Sequence, residues 1–111
     1  ADPIGMSLAC ELIQQGFAPT IIDKRKNTCE LTRAFGLSHN SMAFFERIGV
    51  SADIMRTAIT VPEINVYWNN CKLININHKF SKANKHYFIH RPQNELEIIL
   101  EKRLQENNEK C

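Results

Sequence analysis

Two residues eighteen positions apart, Gly5 and Asp23, carry the strongest chemical signal in this 111-residue sequence. Glycine has no Cβ, so a helix opening at Gly5 can press against a neighbouring strand and let a phosphate approach its backbone N–H groups. Asp23 ends the β-branched run Thr20-Ile21-Ile22, and a carboxylate at a strand end can accept hydrogen bonds from both hydroxyls of a ribose. The interval is close to the one a dinucleotide-binding βαβ unit uses. This chemistry is recognition rather than bond-making: one group for a pyrophosphate and one for a sugar.

The elements that must hold these groups can be read around them. Leu8, Leu12 and the small Ala9 share a helix face, and Gly16 stands where a C′ residue would stop that helix. Thr20 to Ile22 reads as a short buried strand. The first half of the fingerprint is missing, because no strand precedes Pro3 and Asp2 takes the place of the second glycine of G-x-G-x-x-G aligned on Gly5. A carboxylate there would repel phosphate. Either the sequence is truncated ahead of this point or this copy has lost its phosphate loop.

Further along, Lys24 to Leu37 reads as a long connection, of a length that often carries function. Ser38 or Asn40 caps a helix through Met42, Phe45 and Ile48, with Gly49 as its stop, and Ser51 to Ala58 forms a second. Glu63–Trp68 and Cys71–Ile76 alternate around Asn69-Asn70, which predicts a β-hairpin. Trp68 beside the turn reads as a packing residue. Tyr87 to His90 is another short strand. Pro92-Gln93 opens a helix that buries Leu96, Ile99, Leu100 and Leu104, holds its charges from Glu97 to Arg103 outside, and frays from Gln105 to Cys111.

Composition narrows the function classes. A net charge of +2 is too small for a nucleic-acid surface, and Lys79, Lys82 and Lys85 read as a solvated loop. Cys10, Cys29, Cys71 and Cys111 are scattered without a C-x-x-C pair, so neither a zinc site nor a redox motif is expected; Cys10 reads as core. His39, His78, His86 and His90 lack ligand spacing, so no metal is expected. No apolar run approaches a membrane span and nothing resembles a signal peptide. The expected location is cytoplasmic.

In order and with suitable gaps, Ile4-Gly5-Met6-Ser7-Leu8-Ala9-Cys10-Glu11-Leu12, Ile22-Asp23-Lys24-Arg25, Arg33-Ala34-Phe35-Gly36-Leu37 and Pro92-Gln93-Asn94-Glu95-Leu96-Glu97 resemble the N-terminal part of flavin-dependent aromatic hydroxylases of the para-hydroxybenzoate hydroxylase family, the class A flavoprotein monooxygenases. The similarity runs from Pro3 to about Leu104. It implies an α/β fold: an incomplete Rossmann-like FAD-binding βαβ unit lacking its first strand, then an antiparallel hairpin and a C-terminal helix. As a single partial domain over 1–111, the chain divides into a nucleotide-binding βα region (3–61), strands that begin the substrate-side sheet (62–91) and a helix returning to the FAD side (92–105).

The resemblance also implies roles. Gly5 becomes the last glycine of the FAD fingerprint. Asp23 becomes the acid on the adenosine ribose, with Lys24 beside it and Arg25 facing adenine. Arg33 lies near the flavin and pyrophosphate, Gln93 contacts the ribityl and phosphate region, and Arg91 is a second cation there. The family uses NADPH or NADH as reductant and an aromatic small molecule as substrate. Its Asp-Gly and Gly-Asp motifs have no counterpart here and no catalytic residue is carried over, so the isolated chain is expected to be inactive. Two other readings stand beside this one: an NAD-binding Rossmann-like protein, and a non-enzymatic module that self-associates or pairs with a complementary chain to complete its sheet.

Overall fold

The chain begins with a helix whose two ends are both written in local sequence. In the computed structural model, which describes residues 2–24, 36–77 and 88–109, helix α1 (Pro3–Gln14) is capped by Asp2, whose side chain accepts from the Gly5 N–H at 2.9 Å. Pro3 at the first helical position loses nothing by lacking an N–H. Gly16, at φ +88°, closes the other end as expected: its N–H reaches the Ile13 carbonyl and that of Phe17 the Leu12 carbonyl, the paired bonds of a Schellman cap.

Residues 17–23 carry no regular structure, which corrects the buried strand expected over Thr20 to Ile22. Ile22 is 90% exposed and Ile21 42%. A β-branched run becomes a strand only when a neighbour completes its ladder, and no described strand lies beside this one.

Instead, strands β1 (Gly36–Ser38), β2 (Ile59–Val61) and β5 (Phe88–His90) form an antiparallel sheet in the order β1-β5-β2. Gly36, expected in a loop, pairs with His90, and Leu37 with Ile89. A Cβ on Gly36 would fall within the ring of Phe88, so the close approach of these strands requires glycine there.

Helix α2 (His39–Arg47) starts at Ser38, whose hydroxyl accepts from the Ser41 N–H at 3.3 Å. Gly49, at φ +79°, ends it with a second Schellman pair, Val50 N–H to the Phe45 carbonyl and Gly49 N–H to that of Glu46. Helix α3 (Ser51–Met55) stops three residues short of the expected Ala58. The hairpin forms as predicted from β3 (Glu63–Trp68) and β4 (Cys71–Asn77), with Asn69 and Asn70 at φ +45° and +62°. Trp68 is 69% exposed, so it is not the packing residue expected. Among the described residues this hairpin pairs only with itself, and β4 is exposed along its length.

Helix α4 (Gln93–Glu109) runs to residue 109 rather than fraying at 105. Leu96, Leu100 and Leu104 face inward as expected, and with Met6, Ala9 and Cys10 of α1, Met42 and Phe45 of α2, and Ile48, Ile54 and Ile89, they form the core. Glu97 departs from the expectation of an outward charge, since its side chain is buried. Its position four residues after Gln93 and three before Leu100 places it beside the leucine stripe rather than opposite it.

Cys10 is core, as its neighbours in sequence suggest. Burial raises its thiol above the ordinary range and the Arg103 guanidinium pulls it partway back. The unfolded chain ionises this group near pH ~8.5. Between that pH and the higher folded value the unfolded state holds fewer protons, so stability is lost as pH rises. Urea midpoints of the wild type and Cys10→Ala, compared between pH 7 and 10, are expected to converge towards alkaline pH as the wild type loses this contribution.

Candidate functional site

A cleft of about 340 Å³ opens where the N-terminus of α1, strand β1 and the β5–α4 junction meet. Asp2, Pro3 and Ser7 form one wall, Gly36 and Leu37 another, and Arg91 and Gln93 a third, with Phe45 and Leu96 between them. Pro92 positions the third wall: it ends β5, disfavours a helix in Arg91, and starts α4 one residue later. Its carbonyl accepts from the Leu96 N–H at 3.2 Å.

Arg91 is the cation of this cleft and is 8% exposed. Its Nη1 donates to the Ile54 carbonyl at 2.9 Å and to Thr57 Oγ1, and its Nη2 pairs with Glu95 at 3.2 Å. The Ile54 carbonyl is one of those the last turn of α3 leaves without an intrahelical partner, so Arg91 ties that helix to the sheet. Its Nε is buried with no hydrogen-bond partner among the described residues. A buried N–H left unpaired is costly unless a ligand or water meets it. Gln93 donates from Nε2 to Glu97 at 2.9 Å, which holds the amide in place and leaves its oxygen outside that bond.

Of the residues singled out in the sequence, the structure gathers Arg91 and Gln93 in this cleft, with the Asp2–Ser7 turn that carries Gly5 beside them. Asp23 is half-buried and Lys24 exposed, and neither lines the cleft. Arg25 and Arg33 lie outside the described residues. Sequence reasoning did not select Ser7, Gly36 or Leu37 as site residues. Gly36 and Leu37 read only as the end of a long connection, because their place at the cleft depends on pairing with β5, more than fifty residues later. The capping role of Asp2 was readable: Asp followed by Pro at the start of an apolar helix is an N-cap signature.

Asp2, Ser7, Arg91 and Gln93 are the polar side chains in an otherwise mostly apolar lining. The α1 terminus does not suit a phosphate as it stands, because Asp2 holds the Gly5 amide that an anion would take. Among the described residues no group of three His, Cys, Asp or Glu side chains could hold a metal, and no helix is long and apolar enough to cross a membrane.

A family model described as an FAD binding domain matches residues 1–110. A flavin-dependent monooxygenase of Mycobacteroides abscessus is 31% identical over 67 residues, covering 60% of this chain and 14% of that protein. Among solved structures, a variant of PqsL from P. aeruginosa superposes over 96% of this chain and 29% of its own, with a TM-score of 0.84 and 22% identity. The flavin-dependent monooxygenase PieE, solved with FAD and substrate, superposes over 96% of this chain and 21% of its own, with a TM-score of 0.77 and 18% identity. The chain therefore spans less than a third of the length of each of these relatives, and shares the fold of the solved ones.

Proposed function

The chain belongs to the FAD-binding domain family of flavin-dependent monooxygenases, and from that premise we propose that it is the nucleotide-side portion of an NAD(P)H-dependent enzyme that hydroxylates aromatic compounds. The observation that carries this reading is the cleft itself, where Arg91 and Gln93, distant in sequence from α1, meet the start of that helix. Arg91 would offset phosphate charge and Gln93 would hydrogen-bond the ribityl and phosphate region. Gly5 with the α1 terminus would approach the pyrophosphate, Asp23 with Lys24 would hold the adenosine ribose, Arg25 would face adenine, and Arg33 would add charge near the flavin. FAD, when bound, supplies the oxygen activation, with NADPH or NADH as the source of electrons; the protein's part is to hold and orient it. In this reading the region over 62–91 begins the substrate-side sheet, and the chain alone does not turn over.

The test is an FAD titration of the chain followed by flavin fluorescence, with NAD as competitor. Saturable binding, at least about tenfold weaker in Asp23→Ala and little affected by NAD, is the expected result, together with no aromatic hydroxylation coupled to NADPH oxidation. Tighter binding of NAD than of FAD would replace this reading with an NAD-binding protein.

A second reading, pairing with a complementary chain, is favoured by exposed apolar residues. Ile4 and Leu8 lie on the α1 face away from the core, and Ile21 and Ile22 are exposed close behind them in sequence. Such groups in the interior of a sheet-and-helix layer would be covered by neighbouring strands. Sedimentation at increasing concentration distinguishes self-association from a monomer awaiting a different partner.

A further inference from the structure

The N-terminus of α1 is already occupied by a carboxylate. Of its first four amides, Pro3 has no N–H, Gly5 donates to Asp2 Oδ1 at 2.9 Å and Met6 to the Asp2 carbonyl at 3.1 Å, so Ile4 alone is not engaged with Asp2 or blocked. Asp2 also lines the cleft that holds Arg91, whose buried Nε has no partner among the described residues. The cleft thus contains a helix end whose acceptor comes from the chain itself.

We infer that Asp2 is a built-in competitor for the phosphate of the nucleotide ligand and sets the affinity of this site. This inference rests on the flavin-nucleotide reading above and goes beyond it. A carboxylate oxygen at 2.9 Å from a helix N–H makes the contact that a phosphate oxygen makes at such an end, with charge of the same sign. The two cannot share the amide. A diphosphate must displace Asp2, losing the cap, and must then tolerate the displaced charge nearby. A nucleoside without phosphate meets none of this opposition. The site should therefore discriminate against phosphorylated ligands in proportion to their charge, which a glycine at position 2 would not do.

Two variants separate charge from fold. Asp2→Asn keeps an amide oxygen able to cap Gly5 and removes the charge. Asp2→Gly removes both, and glycine is itself an acceptable N-cap. Calorimetric titration of the whole chain with ADP and with adenosine, alongside the FAD titration, reads the effect. ADP is expected to bind about tenfold tighter to Asp2→Gly than to the wild type, with Asn between them. Adenosine affinity should stay the same across all three. Equal ADP affinity in the three proteins, with FAD still bound, would overturn the inference and leave the flavin reading intact. A parallel gain for adenosine and ADP would also overturn it, by showing a change of fold rather than of phosphate competition. Failure of all three proteins to bind FAD, ADP or adenosine would overturn the flavin-site reading itself.

Discussion

Replacement of Arg91 by Met is expected to lower the stability of this chain by about 3 kcal/mol, and its melting temperature by roughly 10–15 °C. Met fills the volume of the side chain's stem but donates nothing. The Ile54 carbonyl, met by Nη1 at 2.9 Å, is left without its donor at the end of α3, and Thr57 Oγ1 loses its contact. A buried acceptor stripped of its partner costs about 1–3 kcal/mol. Glu95 adds less, because its carboxylate is 45% exposed and water replaces the lost ion pair. Arg91→Lys should recover only part of the loss, since one ammonium cannot serve α3 and Glu95 from opposite ends of a planar fork. Thermal melts of the three proteins check the ranking. An Arg91→Met variant as stable as the wild type would show that the bonds to α3 contribute nothing, leaving the residue to ligand binding alone.

The second large effect is in the core. Leu100 is 0% exposed on the face that α4 turns towards α1. Cutting it to alanine removes three buried carbons and leaves a cavity that helices anchored at both ends cannot close. The expected loss is about 3–4 kcal/mol, a large share of the roughly 5–15 kcal/mol that holds a typical domain together. Ile22→Ala is the informative comparison. In the sequence Ile22 looks like the centre of a buried strand, yet it is 90% exposed, and its truncation should change stability by less than about 0.5 kcal/mol. Urea unfolding of both variants measures the two midpoints directly. Equal destabilisation would mean that the Thr20–Ile22 run packs as its composition suggests.

That comparison marks where sequence stops being informative. Ser38 and Gly49 declared the ends of α2, Gly16 the end of α1, and Asn69-Asn70 the turn between β3 and β4. Each acts through bonds to residues within five positions, so the chain needs no distant partner to express it. The stripe of Leu96, Leu100 and Leu104 was equally legible, because a period of three to four residues selects one helix face wherever that face is buried. Family membership was legible from the ordered set of residue matches, and the FAD binding domain model covers residues 1–110.

Tertiary structure decided what each pattern is used for. The exposure of Ile21, Ile22 and Trp68 depends on whether another strand or layer covers them, and burial is a property of the neighbour as much as of the residue. Glu97 is buried against expectation because it adjoins the leucine stripe and is met by Gln93, while Gly36 is needed for the ring of Phe88 across the sheet. The cleft belongs to this second class. Asp2, Gly36 and Arg91 are brought together by the antiparallel pairing of β1 with β5 and the packing of α1 along α4, contacts that no local signal in the sequence encodes. Sequence by itself determined the caps, the turn and the buried helix face; the fold decided that Asp2, whose carboxylate caps Gly5, shares one cleft with Arg91 and Gln93, because that meeting depends on strand pairing and helix packing between distant segments.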